Sequence, residues 1–334
     1  MQRPQFQTLF KALAAFGMLG IAGCDLLKSP GAGLPDGPAA AATAPVMPPS
    51  AESLALSAYY TRVQSGLLEQ GLLRTDGGTR DAPFTDRMLA ENFIKIAAFD
   101  EYASTATGPV QSETPSTIRR WQGPVRIGMR FGASVSAKMR AADTARVAAL
   151  VAQLARATRH PIRMDNTNPN FIVEVVNEDE RQALGPTISA ALPGLTGTEL
   201  LGITSMPRST YCLVYAQSSG NSSIYTRAFA VIRAEHPDLL RLSCLHEEIA
   251  QGLGLANDSP RARPSIFNDD EEFSLLTPQD ALMLRMLYDP SLTPGMTAEQ
   301  ARPIAAALAT RFLGGESCPR FHVKEQSLCR SLIS

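Results

Sequence analysis

An α+β fold, with a mixed sheet backed by helices, follows from three patterns in the chain. Val125, Ile127, Met129 and Phe131 alternate with Arg126, Gly128 and Arg130, the period of a half-buried strand. Residues 136–158 then form an alanine-rich run with Val147, Leu150, Val151 and Leu154 on one helical face. Farther on, YCLVYAQSSGNSSIYTRAFAVI holds two apolar runs, 210–216 and 226–234, around a Gly/Ser/Asn break, which predicts a β-hairpin. Strand, helix and strands in that order place helices against a mixed sheet.

The remaining elements are read in chain order. Residues 51–105 carry helical spacing, first through Leu54, Leu56, Tyr59, Tyr60, Val63, Leu67 and Leu68. Thr75-Asp76-Gly77-Gly78 breaks that run, and Met88, Leu89, Phe93, Ile94 and Ile96 mark a second helix over 85–99. Phe171 to Val176 is a further strand, and 239–255 a further helix. A helix over 276–288 opens with Thr277 as N-cap, Pro278 in its first turn and Asp280 near the positive end of the dipole. Another, around 303–313, stops at Gly314-Gly315. Trp121 and the aromatic pairs Tyr59-Tyr60 and Phe99 with Tyr102 are expected to pack the core or the interface between the N-terminal helices and the sheet.

The 334 residues carry 31 Lys+Arg against 32 Asp+Glu, a net charge of −1, so the basic stripe that a nucleic-acid binder needs is missing. With 44% hydrophobic and 19% charged residues the chain is globular rather than disordered. Its first residues read as an export signal: Arg3 and Lys11 are basic, and Ala12 to Gly20 is apolar but too short to span a bilayer. Ile21-Ala22-Gly23-Cys24 resembles the bacterial lipobox, in which the cysteine thiol takes the lipid. Lipidation of Cys24 would place the protein in the cell envelope, facing the periplasm, at the inner membrane if Asp25 acts as a retention signal. Residues 26–50 are Pro/Ala/Gly-rich and read as a tether. Four more cysteines, Cys212, Cys244, Cys318 and Cys329, suit two disulfides in an exported chain. Of the three connectivities, Cys212–Cys244 with Cys318–Cys329 closes the shortest loops.

Chemistry concentrates in RLSCLHEEIAQGLGLANDS, residues 241–259. Leu242, Leu245, Ile249 and Leu253 form an apolar stripe, while Glu247, Gln251 and Gly254 share the other side. This helix resembles the active-site helix of the metzincins, with H-E-x-x-H-x-x-G-x-x-H, two zinc-holding histidines four apart and a glutamate base. Glu248 matches the base and Gly254 the glycine, but the ligand positions hold Glu247, Gln251 and Asn257, with Asp258 adjacent. Pro264-Ser265-Ile266-Phe267 resembles the Met-turn of those peptidases with Phe267 in place of methionine. From Trp121 to Met296 the chain is also similar to domain-of-unknown-function family 2927, found on proteobacterial lipoproteins, through LHEEIAQGLGLANDS and SIFNDDEEF.

The resemblance implies a zincin/metzincin-like domain over 116–296, after a signal peptide (1–23), a lipidated cysteine and tether (24–50) and a helical segment (51–115), and before a C-terminal helix and disulfide tail (297–334). It implies Glu248 as the catalytic residue of an ancestral site. Zinc prefers imidazole, thiolate and carboxylate, so Glu247, Gln251, Asn257 and Asp258 are a degraded set for it. Calcium suits those oxygens better but wants six or more, and Asp269, Asp270, Glu271 and Glu272 could add some. The expectation is a pseudo-peptidase that binds a peptide or protein. An active peptidase with unusual ligands and a structural envelope lipoprotein stay open beside it.

Overall fold

The computed structural model describes residues 48–105, 108–268 and 270–314. Cys24, Cys318 and Cys329, and with them the lipidation and the second disulfide, lie outside the described residues. In chain order the elements are α1 (Ala51–Glu69), α2 (Asp86–Ala97), β1 (Phe99–Thr105), β2 (Gly108–Pro115), β3 (Arg120–Trp121), β4 (Val125–Phe131), α3 (Ala137–Thr158), β5 (Ile162–Met164) and β6 (Phe171–Val176). Then follow α4 (Glu178–Gln182), α5 (Gly185–Ala191), α6 (Gly197–Thr204), β7 (Cys212–Ser218), β8 (Ile224–Arg233), α7 (Asp238–Gln251), α8 (Pro278–Leu287) and α9 (Ala298–Leu313).

The architecture is mixed α/β. Strands β5, β4, β6 and β8 lie side by side and parallel, β7 closes the edge antiparallel to β8, and the short β3 pairs with the start of β8. The register sets Ile127 opposite Phe171, and Val173 opposite Ala230. Every residue of β6 is buried, as expected of a central parallel strand covered on both faces. Phe171, Val173 and Val175 join the main core with α3, α7 and α8, while Ile172 and Val176 meet Ile188 of α5 and Ile203 of α6.

Local signals explain most boundaries. Thr277 accepts from the Asp280 amide while the Asp280 carboxylate accepts from that of Thr277, so α8 opens with the capping interaction its sequence announces. The hairpin of β7 and β8 forms, and Gly314, at φ +82°, ends α9. Helix α9 starts five residues before the expected 303, because Thr297 and Gln300 cap it there and Pro303 is carried inside. The expected helical segment 51–115 needs correction: α1 and α2 fill 51–69 and 86–97, but Phe99–Thr105 and Gly108–Pro115 pair as an antiparallel hairpin. The helical periodicity of α2 stops at Ala97, and the Thr, Tyr and Val after it favour strand. Residues 178–204 hold three short helices that apolar periodicity does not mark, although two of them open with capping boxes, Asn177 with Glu180 and Thr196 with Glu199. Among the described residues no helix is long and apolar enough to cross a membrane.

Candidate functional site

Helix α7 is held at both ends and along its length. Near its start, the Arg241 guanidinium donates to Asp143 of α3 at 2.8 Å and to the His236 carbonyl at 2.8 Å. Cys244 is bonded to Cys212 at the start of β7, the first of the expected disulfides. At its end the Trp121 indole donates to the Gly252 carbonyl (2.8 Å) and the Tyr288 hydroxyl to the Leu253 carbonyl (3.0 Å), satisfying groups the helix leaves unpaired. Gly254 follows at φ +124°, where an added Cβ would stand 2.2 Å from the Arg119 carbonyl oxygen, so the chain can turn there only on glycine.

The apolar stripe is nearly as expected. Leu245, Ile249 and Leu253 are fully buried in the main core, while Leu242 stays half-exposed. The other side of the helix is less open than amphipathicity suggests: Glu248 is only 4% exposed. His246 is buried too, its Nδ1 accepting the Leu276 amide at 3.0 Å, and desolvation lowers its pKa to about 4. It is a neutral acceptor that ties α7 to the start of α8.

Glu247 and Glu248 are the centre of the acidic face. Burial raises the pKa of Glu247 well above the carboxylate range, and the charges of Asp258, Glu248, Glu271 and Glu101 push the same way. Burial likewise raises Glu248, helped by Glu101 and Asp258. One oxygen of Glu248, Oε2, is buried with no hydrogen-bond partner. Gln251 turns its amide toward Asp258, Nε2 to Oδ1 at 3.4 Å. Thus β1 supplies Glu101, α7 the adjacent pair, and the following loops Asp258 and Glu271. Glu271 belongs to the acidic run 269–272 that the sequence offers as extra oxygens, whereas nothing in the sequence marks out Glu101.

Asn257 does a different job. Its side-chain nitrogen donates to the Lys95 carbonyl at 2.9 Å and its backbone amide to that of Ile96 at 3.1 Å, fastening the loop to the end of α2. Of the acidic run 269–272, Glu272 is taken by Arg74 and Arg263, Asp270 caps its own turn at the Glu272 amide, and Asp269 lies outside the described residues. Leu73 and Arg74 donate to the carbonyls of Glu271 and Glu272, which pins the run in a position where, of its acids, Glu271 is the one whose charge reaches Glu247. The turn at Pro264–Phe267 is set by Asp280, which accepts from the Ser265 hydroxyl (2.6 Å) and the Ile266 amide (3.1 Å), with Phe267 fully buried beneath it.

The donor set does not fit zinc. Among the described residues, the one group of three or more potential ligands whose atoms come within 4.8 Å of one another is Cys212, Glu247 and Glu248. The Cys212 sulfur is spent in the disulfide, which leaves two carboxylates of raised pKa and no imidazole. A family model described as a protein of unknown function, DUF2927, matches residues 86–307, and the chain belongs to that family. No curated protein and no solved structure matches it.

Proposed function

We propose that this member of the DUF2927 family is a lipid-anchored protein of the bacterial cell envelope whose peptidase-like domain binds a peptide or protein at the acidic face of α7. The observation that carries the reading is the buried carboxylate of Glu248, with one oxygen unpartnered and Glu101 and Asp258 as its electrostatic neighbours. Such a group costs stability where it stands, and groups of that kind concentrate at sites of function. A lysine or arginine side chain, or the N-terminal amine of a peptide, would supply the missing counter-charge. The likeness to metzincins supports a cleft here through Glu248, Gly254 and the strand-helix-strand order that leads into α7. Zinc hydrolysis is not part of the reading, because amides and a carboxylate stand where imidazoles would be required.

The number of carboxylates favours a second reading, an oxygen-bound hard cation such as calcium. Elemental analysis of the full chain together with binding to an array of Lys- and Arg-containing peptides separates the readings. Peptide retention that Glu248→Gln removes, with no stoichiometric metal, is the expected result. Stoichiometric zinc with chelator-sensitive cleavage of casein would overturn it, and stoichiometric calcium would favour the second reading. The anchor has its own test: Cys24→Ala should abolish lipid labelling and release the protein from membranes. Unchanged membrane fractionation of that variant after a high-salt wash would remove the lipid anchor from the proposal.

A further inference from the structure

Three helices end around one cavity that shares no residue with the acidic face. The cavity, about 640 Å³, is lined at the end of α3 by Arg159, at the end of α8 by Arg285 and at the end of α9 by Arg311. Among the described residues its one acidic lining residue, Asp289, is already engaged: its carboxylate accepts from Arg311 and from the Ser291 hydroxyl and amide. Arg285 is half-buried and lies over the Phe312 ring at 4.7 Å. Among the described residues no carboxylate forms an ion pair with it. Burial lowers its pKa, and the charges of Arg159 and Arg311 lower it further, while Asp289 offsets only part.

Basic groups near helix C-termini are ordinary, since they oppose the negative end of the dipole. That explains one arginine per helix. It does not explain why all three line the same cavity rather than diverge into solvent, nor why the half-buried one has no carboxylate partner among the described residues. Three guanidinium groups against a single acid, already paired, leave an excess of positive charge that one carboxylate would not balance. Guanidinium forks match the oxygens of phosphate in bidentate fashion. The cavity is also in the size range of small-ligand pockets, roughly 300–1,000 Å³.

We propose that this cavity binds a phosphoryl group, with Arg285 at its floor and Arg159 and Arg311 at its rim. The shared chemistry is a phosphate monoester or diester, carried either by a soluble molecule or by a lipid headgroup. The test is calorimetric titration of the full chain with inorganic phosphate at constant ionic strength, with chloride as the control. The expected result is phosphate binding that Arg285→Gln weakens by about tenfold, the order set by one charge-assisted contact. Arg159→Gln and Arg311→Gln should each weaken it less, and because both side chains are exposed they keep the test open should Arg285→Gln fold poorly. Sedimentation with phosphatidylcholine vesicles, with and without phosphatidylglycerol, assigns the source. Loss of phosphatidylglycerol-dependent sedimentation in the Arg285 variant points to a headgroup, and unchanged sedimentation to a soluble phosphate. No phosphate binding above the chloride control, or equal affinity in all three variants, would overturn the proposal.

Discussion

Two buried acidic groups in this fold meet opposite fates. Glu178, at the start of α4, is desolvated, which alone would raise its pKa, yet hydrogen bonds from Gln182 and Arg181 and the contact with Arg233 carry it below the ordinary value. Arg181 and Arg233 are each 1% exposed, and their remaining donors reach the carbonyls of Ile203, Met206 and Pro207. The Glu178 carboxylate and both guanidinium groups are answered, while the neighbouring Glu235, which accepts from the Glu178 amide, is raised by burial and keeps one oxygen unpartnered. At Glu247 and Glu248 desolvation is joined by like charges, and the pKa values rise. Burial is common to both, so what separates a structural cluster from a candidate site is whether the fold itself supplies the counter-charge.

The contrast breaks most visibly at Glu178. Glu178→Gln leaves two buried guanidinium groups without their carboxylate and should cost about 3–5 kcal/mol in denaturant unfolding. A loss under about 1 kcal/mol would mean that the arginines are solvated in the native state. Next comes the covalent brace of α7. The Cys212–Cys244 bond closes a loop of 32 residues, and Cys212→Ser with Cys244→Ser should cost about 3–4 kcal/mol on loop entropy, read as a lower unfolding midpoint.

A third prediction sharpens the contrast through pH. Burial raises Glu174 of β6 from 4.5 to about 7, and its Oε2 lacks a partner. The native state then holds a proton that the unfolded chain has lost, so stability falls as pH rises from 4.5 through 7. Glu174→Gln removes that slope, matching the wild type below pH 4.5 and exceeding it by about 3 kcal/mol above pH 7. His246 acts the other way. Its pKa, lowered to about 4, makes the unfolded chain the better base, so its contribution is lost as pH falls from 6.5 to 4. A Glu174→Gln profile parallel to the wild type would show that Glu174 is solvated.

How far these features were legible varies with the range of the interaction. Thr277, Pro278 and Asp280 announce α8 because capping acts within four residues, and the Gly/Ser/Asn break announces the β7–β8 hairpin for the same reason. The doublet Glu247-Glu248 and Gly254 stood out through spacing alone. Their company was legible only in part: Asp258 and Glu271 belong to stretches the sequence offers as extra ligands, but Glu101 lies on β1, in a segment expected to be helical, and the loop of Glu271 is pinned by Leu73 and Arg74 from some 200 residues away in sequence. Asn257 reads as a ligand by position, but its side-chain nitrogen donates to the Lys95 carbonyl and fastens the loop to α2. Nothing in the sequence pairs Glu178 with Arg233, because that contact depends on β6 and β8 lying side by side.

The central claim is that Glu248 is retained at a cost to the fold, and pH-resolved unfolding of Glu248→Gln tests it most directly. With its folded pKa raised by burial and by its acidic neighbours, the wild-type carboxylate destabilises increasingly as pH rises above the unfolded value. The variant is therefore expected to match the wild type at pH 4 and to exceed it at pH 8 by on the order of 1–3 kcal/mol, the cost of an unsatisfied buried group. A variant that is less stable than the wild type at pH 8 would show that the carboxylate is paired in the native state and would contradict the account.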